Sequence, residues 1–311
     1  MRTRTPLAAA VTVAAVTVAL LAGCASGGSD GDGPTAGTTP PAAGYPVTVG
    51  DLTLQAQPTR IVSLSPVATE MLFAVGAGGQ VVAADEFSTY PPEAPTTELS
   101  GFTPSVEAIA EHDPDLVVIS YDPGDLVTQL DTLAIPVHLV PDTPADLDDV
   151  YAQITDVGTL TGHPTEAADL ARRMDEEITK LAADVPPRDE PLTYYFEIDD
   201  TLYTFTSNSF VGSLFEMIGM ENVADAQDPG AYTVQLSSEV LIDADPDMIF
   251  LADTKYGGQS AETVAARDGW ADIAAVRNGH VVELDDDIAS RWGPRVVDLF
   301  RAIVDAVSRV P

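Results

Sequence analysis

The 311 residues carry 49 acidic against 14 basic side chains, a net charge of −35 at pH 7. That balance excludes nucleic-acid binding, because phosphate contacts need a basic surface. Cys24 is the only cysteine, which excludes an intrachain disulfide and a thiolate metal cluster.

The chain opens with "MRTRT", an apolar run from Pro6 to Leu21, and "LAGC" ending at Cys24. A basic start, an apolar core and small residues before a cleavage point predict a secretory signal over residues 1–23. The run is short for a bilayer span, and Gly, Ser, Thr and Pro dominate the segment after Cys24, so residues 24–44 read as a flexible tether. The tetrapeptide resembles a bacterial lipobox, which implies a lipid-modified Cys24. Cleavage there removes Arg2 and Arg4 and no acid, leaving 49 acidic against 12 basic side chains, a balance of −37. The scarcity of lysine (Lys180 and Lys255 only) matches a salt-adapted surface and equally a GC-rich coding bias.

Beyond the tether, short apolar strands alternate with amphipathic helices. "RIVSLSP" predicts a strand at Ile61–Leu64, then a helix capped by Ser65, with Pro66 in its first turn and its end near Gly76. Val81–Ala84 reads as a strand, and "TPSVEAIAEHD" as a short helix from Pro104 with Thr103 as its cap. "LVVIS" and "IPVHLV" come next as strands, separated by the segment holding Leu126, Leu130 and Leu133. "PTEAADLARRMDEEITKLAADV" is the longest polar helical run, with Ala167, Leu170, Met174, Ile178 and Leu181 returning every three or four residues. After it come a strand in "LTYYFEI", a helix in "SFVGSLFEMIG" and another in "SSEVLIDAD". "MIFLA" reads as a strand, "VRNGHVVEL" as a turn and strand, and "RVVDLFRAIVDAVSRV" as the last helix.

Two stretches repeat: "EAIAEHDPDLVVIS" from Glu107 and "EVLIDADPDMIFLA" from Glu239 both run Glu, amphipathic helix, Asp-Pro-Asp, apolar strand. The repeated unit is a lobe. The fold class expected is α/β: two three-layer lobes with mostly parallel sheets over residues 45–163 and 188–311, joined by one spine helix over residues 164–187, with a ligand cleft between them.

No GxSxG, nucleotide-binding glycine loop or HExxH is present, and His112, His138, His163 and His280 are scattered, reading as surface or cap residues. A secreted two-lobe chain without a reactive constellation reads as a binder rather than an enzyme. A surface hydrolase, or a lipoprotein that has lost transport, are the other classes considered.

From Tyr45 to its end the chain resembles the substrate-binding lipoproteins of ABC importers for ferric siderophores, haem and cobalamin. The resemblance rests on "RIVSLSPVATEMLFAVGAGGQVVAADEFSTYPPEA", "PSVEAIAEHDPDLVVIS", "SFVGSLFEMIGMENVADA", "LSSEVLIDADPDMIFLA" and "AVRNGHVVELDDDIASRWGPRVVDLFRAI". It implies a small hinge motion, lipid anchoring on the outer face of the cytoplasmic membrane, and delivery of a small-molecule metal chelate to an ABC permease dimer with its ATPase subunits. No cofactor of the protein's own is implied, and no His and carboxylate cluster offers a metal site. The family's two docking glutamates match Glu107 in "PSVEAIA" and Glu216 in "GSLFEMIGMENV". Glu239, the repeat partner of Glu107, is not expected to dock.

Ligands of open α/β sheets lie beyond the carboxyl ends of the strands. That nominates Phe87, Tyr90, Tyr121, Phe205, Tyr232, Lys255, Tyr256, Arg291 and Trp292, aromatic walls with two cations for a large flat chelate. Arg295, at a helix start, reads as structural. "SFVGSLFEMIGMENVAD" and "IASRWGPR" resemble the corrinoid branch somewhat more than the siderophore branch, so cobalamin is slightly favoured over a ferric siderophore or haem.

Overall fold

The computed structural model describes residues 44–228 and 230–311. Cys24, the signal and most of the tether lie outside the described residues.

An antiparallel hairpin of β1 (Val47–Val49) and β2 (Leu52–Leu54) precedes the first lobe. Next come β3 (Ile61–Ser63), α1 (Pro66–Ala74), β4 (Val81–Ala84), α2 (Val106–Ala110), β5 (Leu116–Ile119), α3 (Leu126–Thr132) and β6 (Val137–Leu139). Two long helices follow, α4 (Leu147–Thr161) and α5 (Pro164–Asp184). The second lobe contains β7 (Thr193–Glu197), β8 (Tyr203–Phe205), α6 (Phe210–Glu216), β9 (Glu221–Asn222), β10 (Thr233–Gln235), α7 (Ser238–Ala244) and β11 (Met248–Leu251). It closes with α8 (Ala261–Ala265), α9 (Ala274–Asn278), β12 (Val281–Glu283), α10 (Asp286–Ala289) and α11 (Val296–Val307).

Both main sheets are parallel, with strand orders β4-β3-β5-β6 and β9-β7-β11-β12. Read from the first strand of each lobe, both are second, first, third, fourth. The repeat in the sequence is thus a repeat of topology, and the two Asp-Pro-Asp tripeptides do one job twice. Asp113 and Asp245 take left-handed backbone (φ 46° and 44°) just beyond α2 and at the end of α7. The second aspartate of each then ties down the lobe's first strand. Asp115 accepts from the Thr59 and Arg60 backbone N–H groups at 2.8 Å, and Asp247 from the Thr193 N–H at 2.9 Å.

Alternation along the strands explains the layers. Ile61, Leu116, Val118, Tyr194, Phe196, Met248 and Phe250 all enter one apolar core shared by the two lobes. Their neighbours Val62, Val117 and Ile119 face a separate core of the first lobe, and Tyr195, Ile249 and Leu251 one of the second.

The spine helix α5 ends at Asp184, with Ala167, Met174 and Ile178 buried. It is not a lone strut, because α4 packs along it. A Cβ at Gly158 would come within 2.2 Å of the Ala167 Cβ, so only glycine allows this approach. On the second-lobe side Arg301 of α11 meets Glu177 at 2.6 Å.

Three local expectations differ. Ser105, not Thr103, caps α2, since its side chain accepts from Ala108. The segment before Gly279 forms the helical turn α9 rather than a plain turn. His138 is buried on β6, where desolvation lowers its pKa to about 4.

Candidate functional site

The carboxyl ends of β3 and β5 open into a cavity of about 250 Å³ lined by Leu64, Ser65, Asp85, Phe102, Tyr121 and Arg291. Arg291 comes from the second lobe, so this cavity lies between lobes. Beyond the ends of β7 and β11 a second cavity, about 330 Å³, is lined by Asp199, Asp253, Tyr256, Asp286 and Ser290 among others. Ser290 lines both, which makes them two chambers of one cleft.

Local rules build the first wall. Ser65 leaves the strand and caps α1, its hydroxyl accepting from the Ala68 N–H, while Ser120 donates to that same hydroxyl at 2.5 Å. Phe87, Phe102 and Tyr121 then form a chain of rings, with centroids 5.6 and 6.0 Å apart. All three are exposed, Phe102 the most at 65%. Exposed aromatic faces rimming a cavity are available for area burial against a flat ligand.

The second wall is organised by Asp287 in α10. Its carboxylate accepts from Lys255 Nζ at 2.6 Å, Arg291 Nη2 at 2.8 Å and the Tyr256 hydroxyl at 3.0 Å. Burial opposes its charge, yet Lys255, Arg291 and Tyr256 hold it below the ordinary carboxylate range. The Lys255 ammonium also lies 4.8 Å from the centre of the Tyr256 ring, and its pKa is raised chiefly by Asp287. Further back, Arg267 donates two bonds of 2.6 Å to Glu197 at the end of β7.

Between the walls Arg295 donates to both oxygens of Glu70 on α1, at 2.8 and 2.5 Å, and its guanidinium covers the Tyr90 ring at 4.3 Å. Burial lifts Glu70 above the ordinary range while Arg295 pulls it back. Arg295 is structural, as its helix-start position suggests, but as an inter-lobe tie rather than a cap.

Of the nine nominated ligand residues, Tyr121, Tyr256 and Arg291 line the chambers. Phe87 extends the aromatic wall, and Lys255 joins Arg291 on Asp287. Tyr90 lies under Arg295. Trp292 lies in the shared core, and Phe205 and Tyr232 are half-buried against it. Trp292 is only 7% exposed, with Phe205 and Phe210 ring centres at 5.6 and 5.2 Å and its N–H donated to the Ala289 carbonyl. Its faces are occupied by the protein.

Sequence reasoning passed over Phe102, Glu70, Asp85, Asp253 and Asp287. Phe102 and the two cleft aspartates carried a readable signal. Phe102 stands in a strand-to-helix connection, and "Ala-Asp" follows an apolar strand in both lobes, at Ala84-Asp85 and Ala252-Asp253. Glu70 and Asp287 had none, since their partners are set by tertiary packing.

Glu107 and Glu216 are exposed, the first in the opening turn of α2 and the second at the end of α6. Glu216 borders a groove with Asp146, Asp148 and Asp175.

Residues 61–288 match the family model described as periplasmic binding protein. The chain belongs to that family. It is 30% identical to a cobalamin-binding protein of Halobacterium salinarum, over 85% of this chain and 75% of that one. An uncharacterized ABC transporter substrate-binding lipoprotein of Bacillus subtilis is 29% identical over 99% of this chain and 98% of its own. Among solved structures, the apo periplasmic haem-binding protein of a Roseiflexus species superposes with a TM-score of 0.69 at 28% identity. It covers 80% of this chain and 97% of that one.

Proposed function

We propose that this chain is a lipid-anchored, extracytoplasmic substrate-binding protein that captures a metal chelate between its lobes and delivers it to an ABC importer permease. It works by binding alone, without catalysis. The observation that carries the reading is the two-chambered cleft at the carboxyl ends of both sheets, with the exposed rings of Phe87, Phe102 and Tyr121 on one wall and the Asp287–Arg291 clamp on the other. Ring faces and one fixed polar clamp suit a large planar ligand that offers area first and a few directional groups second. A corrinoid is the ligand favoured here, supported by the cobalamin-binding relative. Haem or a ferric siderophore is the second reading, supported by the haem-binding structural neighbour.

The core shared by both lobes and the Glu70–Arg295 tie support a small closing motion. Exposed Glu107 and Glu216 would meet basic groups on the two permease subunits, the acidic groove beside Glu216 adding to the attraction.

Isothermal titration of the soluble chain with cyanocobalamin, hemin and a ferric hydroxamate tests the reading. Stoichiometric binding of one of them at micromolar or better affinity is expected. Absence of binding to all three would sink it.

A further inference from the structure

The charge inside the cleft is lopsided. Among the described residues, Asp85, Asp142 and the cation Arg291 line one chamber, and Asp199, Asp200, Asp253 and Asp286 line the other. Arg291 is already answered by Asp287 at 2.8 Å and has Glu70 at 4.0 Å. Asp286 is saturated by the Thr254 hydroxyl and the backbone N–H groups of Thr254, Lys255 and Tyr256, at 2.8 to 3.0 Å. Asp199 closes on Thr201.

Of the other four, Asp142 and Asp200 are exposed, and two carboxyl groups are buried. Asp253 is 6% exposed, and neither of its oxygens has a hydrogen-bond partner. Asp85 is 2% exposed; Ser88 and the Phe87 and Ser88 backbone groups hydrogen-bond its carboxylate, but its Oδ1 has no partner. They follow β4 in the first lobe and β11 in the second, so they stand on opposite walls of the cleft. The chain closes over each with a glycine: a Cβ at Gly101 would lie 2.9 Å from Asp85 Oδ2, and one at Gly257 3.3 Å from Asp253 Oδ2. Burying a carboxyl acceptor without a donor is unfavourable, because its lost hydration is not replaced. Desolvation, with Glu197 next in effect, pushes Asp253 up to about 7, against the opposing pull of Arg267. Among the described residues no cluster of three or more ligating side chains could hold a metal ion. Both oxygens of Asp253 and the Oδ1 of Asp85 lack a donor, and the cleft they line is the place from which one can come.

We propose that Asp85 and Asp253 set the selectivity of the cleft by accepting hydrogen bonds from N–H donors on the rim of the chelate, primary amides or an ammonium, and by excluding chelates with a carboxylate or catecholate rim. This rests on the chelate-binding function proposed for the cleft. An anionic rim would meet the acids of both chambers, while Arg291 and Lys255 are already committed to Asp287, and like charges brought together in a desolvated site repel.

The test is a titration panel on the soluble chain: cyanocobalamin (amide rim), ferrioxamine B (ammonium), hemin (carboxylate rim) and a ferric tris-catecholate. The wild type should bind the better of the first two at least 100-fold more tightly than either anionic chelate. The D85N/D253N variant should shrink that ratio at least tenfold, mostly by gaining anionic ligands, with D253N and D253S singly giving partial changes if the double variant folds poorly. Tighter binding of an anionic chelate by the wild type, or an unchanged ratio in the folded variants, would overturn the proposal and leave the importer reading intact. Failure to bind any of the four would overturn both.

Discussion

Arg295 reaches Glu70, 225 residues earlier in the chain, with two parallel hydrogen bonds of 2.8 and 2.5 Å, and this pair joins the two lobes beside the cleft. Glu70 is 3% exposed, so the pair is sheltered from solvent. Arg291 contributes a second guanidinium 4.0 Å away. Removing the carboxylate would leave Arg295 without its partner, while Arg291 keeps Asp287.

E70Q keeps the shape and removes the charge. It should lower unfolding free energy by about 3–5 kcal/mol, the usual penalty for breaking a buried pair on one side. Urea denaturation reads this directly. A loss below a few tenths of a kcal/mol would mean that the tie contributes nothing to holding the lobes.

Phe102 and Trp292 should behave oppositely. F102A removes an exposed ring and is expected to leave stability nearly unchanged while weakening chelate binding by about 1–3 kcal/mol. W292A empties part of the shared core and should cost about 3–5 kcal/mol of stability. Paired melting curves and titrations distinguish them.

Asp253 and His138 give opposing pH slopes. Asp253 ionises near 3.8 when unfolded and near 7 when folded, so the native state holds the extra proton between those values and stability falls as pH rises through the window. His138 shifts from 6.5 down to about 4, so the unfolded state holds the extra proton there and stability falls as pH drops. The two slopes oppose each other in the wild type. D253N should unmask a stability that rises with pH from about 4 to 6.5, and be about 1–3 kcal/mol more stable than wild type above pH 7. Urea midpoints across this range check it; parallel wild-type and D253N curves would refute it.

E107K with E216K should leave chelate affinity near wild type and abolish uptake, each single reversal giving an intermediate loss. Solution titration beside transport in reconstituted membranes decides. Normal uptake by the double variant rejects both as docking points, and a parallel fall in affinity would move at least one of them into the cleft.

C24S is expected to release the protein from the membrane while chelate affinity stays unchanged. Membrane fractionation with titration of the released protein checks it. Retention of C24S in the membrane would remove the lipid anchor from the account.

The amino-acid sequence by itself determined the elements and their doubling. Caps such as Ser65, breaks such as Pro114 and Pro246, and the alternation of Ile61 with Val62 act over a few residues, so they are legible without the fold. The aromatic residues of the strand-to-helix connections were legible as a group for the same reason, but not which of them face outward. Phe102 lies between β4 and α2 and Trp292 between α10 and α11, and the packing of Phe205 and Phe210 from distant segments turns Trp292 into core while Phe102 stays exposed. Charge partners are harder still. Nothing near Arg295 in the chain announces Glu70, and nothing near Asp253 announces that no donor will arrive. A hydrogen bond forms or fails within about 3.5 Å, a scale that local sequence patterns cannot reach across two lobes. The tie and the unpaired oxygens of Asp85 and Asp253 are therefore decisions of the tertiary structure.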